Sequence, residues 1–205
     1  MQDFISGGAI ITASPDNGST SFVQMLSGLL YNKGNTILYY NPSRTINRKF
    51  IKKFYPNVYN NVCFIVCSIE YLINYIHLIG DNFIFNYMII DPGDILITNN
   101  QLILLKQLLD LYKCTLICTS QIRQMPVEGG KPYSTLDRLN KKYCQYGQPL
   151  FRYSIWIRNI TEKHIILYNK YLEIYNYYKD KINFIDRHII QYSREGQIVN
   201  EKDYY

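Results

Sequence analysis

Two short stretches of this sequence hold side chains suited to a phosphorylated ligand. The first is ASPDNGST, residues 13–20. Its A-x-x-x-x-G-S-T spacing is that of a phosphate-binding loop, where successive backbone N–H groups and the following helix N-terminus cradle phosphate oxygens. Such a loop ordinarily adds a lysine for the β/γ-phosphates and a Ser/Thr hydroxyl for Mg²⁺. Gly18 and Thr20 are in place, Ala13 stands for the first glycine, and Ser19 occupies the lysine position. The second stretch is NYMIIDPGD, where an apolar run ends in Asp91. An acid at the carboxyl end of a buried strand is the Walker B pattern, which holds Mg²⁺ through water. Asp91 to Asp94 could also be a plain turn; the loop upstream favours the Mg²⁺ reading.

The elements that must position these groups follow from periodicity. Ala9 to Thr12 reads as a buried strand, and Thr20 to Asn32 as a helix with apolar Phe22, Val23, Met25, Leu26, Leu29 and Leu30. Lys33-Gly34-Asn35 should end it, with glycine at the carboxyl cap. Strands are expected at Thr36 to Tyr40, Asn61 to Ser68, Phe85 to Ile90 and Cys114 to Thr119. Helices are expected at Ile69 to Ile79 and Asn99 to Tyr112. Arg44 to Tyr55 reads as a helix with one basic face (Arg44, Arg48, Lys49, Lys52, Lys53), more simply a solvated face than a phosphate contact. A long polar connection, Gln124 to Pro149, is expected to be a mobile or functional loop. Beyond it, strands are expected at Phe151 to Arg158, His164 to Leu172 and His188 to Tyr192, with a turn at Arg194-Glu195-Gly196. Strand–helix pairs followed by strands alone imply an α/β fold, a mostly parallel sheet extended by antiparallel strands.

Composition sets outer limits. The 205 residues suit one domain, and 47% hydrophobic content suits a globular core. A formal net charge of +6 permits an acidic partner such as nucleic acid without demanding one, because no dense basic block appears. The 21 tyrosines could stack on bases, although an AT-rich coding sequence accounts for them more simply. The start, MQDFISGG, lacks a signal-peptide pattern, and no apolar run reaches the roughly 20 residues needed to span a bilayer. Cys63/Cys67 and Cys114/Cys118 have a zinc-like spacing. Their strand-like surroundings and the absence of a histidine cluster favour buried, reduced thiols instead. That points to a reducing compartment: cytosol, nucleus or a virus-infected cytoplasm.

Taken together, these motifs resemble the RecA/DnaB superfamily, the ATPase core of recombinases and replicative helicases. The likeness spans about residues 8–199 and implies a single RecA-like three-layer sandwich. ITASPDNGSTSF resembles its phosphate loop and YMIIDPGDIL its Walker B strand. TLICTSQIR resembles the strand whose glutamine senses the γ-phosphate, which would make Gln121 the sensor. Residues 124–146 would then be the DNA-binding loop, and KPYSTLDRLN within it is similar to a stretch of DnaB-type proteins. ILYNKYLE resembles the strand that offers basic residues to a neighbouring subunit's nucleotide, with Lys170 in that trans-acting role and Tyr168 where its companion would be. By this likeness Ala13, Gly18, Ser19, Thr20, Asp91 and Gln121 would line a nucleotide, Thr20 and Asp91 would hold Mg²⁺, and Arg123, Lys131, Arg138, Lys141 and Lys142 would meet nucleic acid.

The departures are specific. Ser19 replaces the lysine, and Ser43 stands nearest the family's catalytic glutamate. A serine hydroxyl is a poor general base at neutral pH, and loss of the lysine removes a clamp on the transferring phosphoryl group. The chain begins almost at its first core strand, so assembly into rings or filaments by the family's usual route is not expected. Three readings follow, in this order. The first is a pseudo-ATPase serving DNA replication or recombination, in a virus or phage by its size and composition. The second is an interaction or scaffold subunit, which predicts an exposed apolar patch. The third is a minimal working ATPase in which Arg44 or a neighbour's Lys170 supplies the missing charge. ATP and Mg²⁺ binding are expected to be weakened or lost, with single-stranded nucleic acid, a protein partner or a second copy as partners, no membrane contact, and a cytoplasmic location.

Overall fold

The runs AIITA, ILYY and YMII are apolar throughout, as strands covered on both faces must be, and all three are completely buried. They form β1 (Ala9–Ala13), β2 (Ile37–Tyr40) and β4 (Tyr87–Ile90) in a computed structural model of the chain. The structure describes residues 7–15, 18–42, 46, 48–92, 98–122, 134–144, 149–159, 169–178, 181–192 and 198–203. With β3 (Cys63–Ile65), β5 (Thr115–Gln121), β6 (Tyr153–Asn159), β7 (Asn169–Tyr178), β8 (Lys181–Tyr192) and β9 (Ile198–Asp203), they build one sheet. Its order is β3-β2-β4-β5-β1-β6-β7-β8-β9. Pairings from β3 across to β6 are parallel, and those from β6 to β9 antiparallel.

Alternation along the strands sends side chains into two cores. Ala9, Ile11, Tyr39 and Ile89 face α1 (Ser19–Asn32) and α3 (Pro56–Asn61), whose Phe22, Val23, Leu26, Leu30 and Val58 fill that side. Ile10, Leu38, Met88 and Leu116 face α4 (Ile69–Ile79), α5 (Asn99–Leu111) and α6 (Thr135–Cys144). Helices on both faces of a mostly parallel sheet make the expected three layers. Local signals fix the helix ends. The Ser68 hydroxyl accepts the Tyr71 N–H at 3.2 Å, and Thr98 forms a capping box with Gln101. Gly34, at φ 83°, closes α1, its N–H reaching the Tyr31 carbonyl at 2.8 Å.

Several elements differ from the sequence expectation. The basic helix is α2 (Arg48–Phe54), with Ile46 outside it and Arg44 outside the described residues, and Pro56 starts α3 directly after Tyr55. The expected strand over Asn61 to Ser68 contracts to the three residues of β3 at the sheet edge. The connection after β5 is no plain loop, since its second half is the ten-residue α6. β8 runs for 12 residues rather than five, and β9 follows it. Of the strand expected at His164 to Leu172, only its end falls within β7; residues 161–168 and the turn at 194–196 lie outside the described residues. Cys114 and Cys118 are buried, whereas Cys63 is exposed because it sits on the edge strand.

Candidate nucleotide site

The parallel strands β1, β4 and β5 end side by side, and open α/β sheets bind ligands at such carboxyl ends. Ala13, the last residue of β1, pairs in register with Gln121, the last of β5. Gly18 then adopts the left-handed conformation, φ 82° and ψ 21°, and α1 starts at Ser19. A side chain is disfavoured at that φ, which explains glycine at the turn into the helix. The Phe22 N–H bonds the Gly18 carbonyl at 2.9 Å, so the first turn of α1 is formed. Thr20 lies in that turn, and its N–H groups make the end of the helix attractive to negative charge.

Asp91, directly after β4, points under this turn. Its Oδ1 accepts the Thr20 hydroxyl at 3.2 Å and the Thr119 hydroxyl at 2.7 Å; its Oδ2 accepts the Tyr39 phenol at 2.8 Å. The residue is only 2% exposed. Burial pushes its carboxyl above the usual carboxylate value, opposed by the hydrogen bonds from Thr119, Tyr39 and Thr20. Burial, then the neighbouring Asp91 charge, holds the Tyr39 phenol well above its ordinary value. All three donors are neutral, so these contacts of the Asp91 carboxylate include no cation. Asn41, just beyond β2, donates its amide to the Asp91 backbone carbonyl and ties the end of β2 to the cluster.

The sequence-derived nucleotide set therefore divides. Ala13, Gly18, Ser19, Thr20, Asp91 and Gln121 gather at one end of the sheet. Ser43, Arg44, Arg123 and Lys131 lie outside the described residues. Lys170 is the second residue of β7, paired with Asn159 on β6 and Ile190 on β8. Further along β7, the nearly buried Glu173 carboxylate binds the Arg158 guanidinium at 2.8 Å and the Arg187 guanidinium at 2.6 Å. Arg138, Lys141 and Lys142 sit on α6 rather than on a loop, on its exposed face. Tyr39 and Thr119 had no sequence signal for their roles: Tyr39 belongs to no motif, Thr119 lies in TLICTSQIR without a role of its own there, and both reach Asp91 from separate strands.

A second buried carboxylate fastens α6 to the sheet. Asp137 is fully buried and accepts hydroxyls from Thr12 at 2.9 Å and from Ser134, Ser154 and Tyr177 at 2.7 Å each. The Asp137 N–H in turn donates to the Ser134 hydroxyl at 3.1 Å, a capping pair at the start of α6. One turn on, the Asn140 amide exchanges two hydrogen bonds with the Phe151 backbone, at 2.8 and 2.9 Å. Ser134-x-x-Asp137 is a helix-start signature, and with Leu136, Leu139 and Tyr143 at helical spacing it could have revealed this helix. Thr12 immediately precedes Ala13, so this network joins the start of the β1–α1 loop to the helix carrying Arg138, Lys141 and Lys142.

The strand order and layering define a RecA-like α/β fold. A comparison of folds agrees. The chain is similar to a KaiC-like protein, PH0186, from the hyperthermophilic archaeon Pyrococcus horikoshii OT3, with a TM-score of 0.62 over 98% of this chain and 95% of that one. Sequence identity is 14%, so the likeness concerns the fold. No protein-family profile matches the chain, and no curated protein matches it in sequence.

Proposed function

We propose that this chain is a pseudo-ATPase: a RecA-fold protein that holds a nucleoside triphosphate weakly, hydrolyses it inefficiently, and serves DNA replication or recombination as an accessory subunit. The observation that carries the reading is the Asp91 cluster, which keeps the hydroxyl and carboxylate of a Mg²⁺–nucleotide site in contact while Ser19 leaves its loop without a cation. Because Thr20 gives its proton to Asp91, its oxygen lone pairs remain for a metal. A carboxylate has about four acceptor places, and three here are filled by protein hydroxyls, which leaves room for one metal-bound water. The residues thus fit a hydrated Mg²⁺ held by Thr20 with Asp91 behind it. When bound, that ion would neutralise phosphate charge. Gln121, in register beside Ala13, would contact the terminal phosphate. Loss of single electrostatic groups of the lysine kind commonly costs about 10²–10³ in rate, and Ser43, the sequence match to the family's catalytic glutamate, supplies no effective base.

The same scaffold presents Arg138, Lys141 and Lys142 together on the outer face of α6, a cationic strip suited to a nucleic-acid backbone. The direct test of the nucleotide reading is equilibrium binding of a fluorescent ATP analogue with and without Mg²⁺. Weak, Mg²⁺-dependent binding that is lost in Thr20→Val supports it; binding unaffected by both metal and substitution refutes it.

One observation favours the interaction-subunit reading as a second choice. Tyr71, Tyr75 and Leu78 recur at helical spacing on α4 and are 64, 42 and 84% exposed, with the two tyrosine rings stacked at 6.5 Å. An apolar stripe of this kind marks a protein contact more often than free surface. A purified chain that stays monomeric and fails to bind nucleotide, yet assembles with a protein partner through α4, would make this the better reading.

A further inference from the structure

A concavity lies beside the Asp91 cluster, where β2 and β3 end, and the nucleotide set Ala13, Gly18, Ser19, Thr20, Asp91 and Gln121 does not line it. A cavity of about 360 Å³ is lined by Asn41, Ile46, Arg48, Phe64 and Val66. Next to it, a cavity of about 240 Å³ shares Ile46, Arg48 and Phe64 and adds Ile51 and Tyr59. The larger is within the roughly 300–1,000 Å³ range of small-molecule sites, and its walls follow their usual recipe of apolar and aromatic surface with a few polar groups. Its position at the carboxyl ends of two parallel strands is where open α/β sheets take ligands. Val66, 41% exposed, gives it apolar surface that the core does not use.

Charge narrows the ligand class. Residues 17–69, which supply every lining side chain, contain six Lys or Arg and no Asp or Glu. Arg48 lies on the wall, and the Lys52 ammonium is 5.9 Å from the Tyr59 ring centroid at the smaller cavity. A guanidinium offers a planar fork to a carboxylate, sulfonate or phosphate, while Phe64 offers a flat apolar surface. We propose that this cavity binds a small organic anion with a planar apolar body, its charged group on Arg48 and its body against Ile46, Phe64 and Val66. Among the described residues, Asn41 links this cavity to the Asp91 cluster, its amide donating to the Asp91 backbone carbonyl.

The test is a fluorescence titration of the purified full chain with 8-anilinonaphthalene-1-sulfonate, an aromatic sulfonate that brightens on leaving water. The expected result is saturable one-site binding, weakened at least fivefold by Arg48→Glu and by Val66→Asp, both at surface-reaching positions where the fold should persist. Lys33→Glu makes the same charge change elsewhere in the acid-free region and should alter affinity less than twofold. ADP should not displace the probe. Equal loss in Arg48→Glu and Lys33→Glu would reduce the effect to overall charge and overturn the proposal, as would the absence of saturable binding. Displacement by ADP would overturn the claim of a separate site while leaving the nucleotide reading intact. Failure of ADP to bind at all would sink that reading and not this one.

Discussion

Replacing Asp137 by alanine should unfold this protein at far milder conditions, although a sequence reading places the residue in a polar connection. The carboxylate is fully buried and accepts hydrogen bonds from four hydroxyls on three strands and the start of α6. Truncation removes the common acceptor and leaves those donors in a site closed to water. Thr12 and Ser134, 3.4 Å apart, can partly re-pair, and Ser154 keeps its bond from the Trp156 indole at 2.7 Å. Each buried hydroxyl left without its acceptor costs about 1–3 kcal/mol, and with this partial re-pairing the net cost should be about 3–5 kcal/mol. Against a total stability of about 5–15 kcal/mol for typical domains, that is a large fraction. At about 2–4 °C per kcal/mol for a chain of this size, Tm should fall by roughly 6–20 °C. Asp137→Asn keeps the volume and one acceptor and should cost only about 1–2 kcal/mol. Urea unfolding followed by tryptophan fluorescence suits the measurement, since Trp156, the sole tryptophan, donates to Ser154 within the network. An alanine variant within about 1 kcal/mol of the parent would refute the reasoning and mean that the hydroxyls satisfy one another.

Other expectations follow from the same geometry. Burial raises the folded-state pKa of Asp91, so the folded state binds its proton more tightly than the unfolded chain does. The associated stability is complete below the unfolded carboxylate pKa of about 3.9 and declines as pH rises toward the folded value. Asp91→Asn should therefore gain in Tm relative to the parent as pH is raised from about 4 to 7; a constant difference would contradict the shift. Reversing the charges of Lys141 and Lys142 should weaken single-stranded DNA binding and flatten its dependence on salt, and unchanged binding in a salt titration would remove α6 as the contact. Substituting Tyr71, Tyr75 and Leu78 by serine should leave Tm nearly unchanged while abolishing any self-association seen by sedimentation; loss of folding instead would show that the stripe packs internally.

How much of this was legible in the sequence differs from element to element. The strands β1, β4 and β5 could be read because both faces are covered and each is a short apolar run with a polar group where it ends. The loop and α1 were readable because glycine, a hydroxyl and an apolar helical period follow in close order. α6 was missed because its core-facing set includes Asp137 and Asn140, which a polarity count assigns to solvent; only the Ser134–Asp137 spacing marked its start. The length of β8 was missed because its exposed positions include Phe184 and Ile185, which blurs the alternation. The contacts of Tyr39 and Thr119 with Asp91 were out of reach, since they arise from the order of strands in the sheet. The motif residues were thus visible while the groups that hold them were not.

The central claim is that the loop retains nucleotide contacts without efficient hydrolysis. Its most direct test is ATP turnover by the purified chain with Mg²⁺, with and without single-stranded DNA, alongside equilibrium binding. Weak binding with turnover at background in both conditions is the predicted result. DNA-stimulated turnover would contradict the pseudo-ATPase reading and require a substitute cation, with Arg44 and a neighbouring copy's Lys170 the first residues to change.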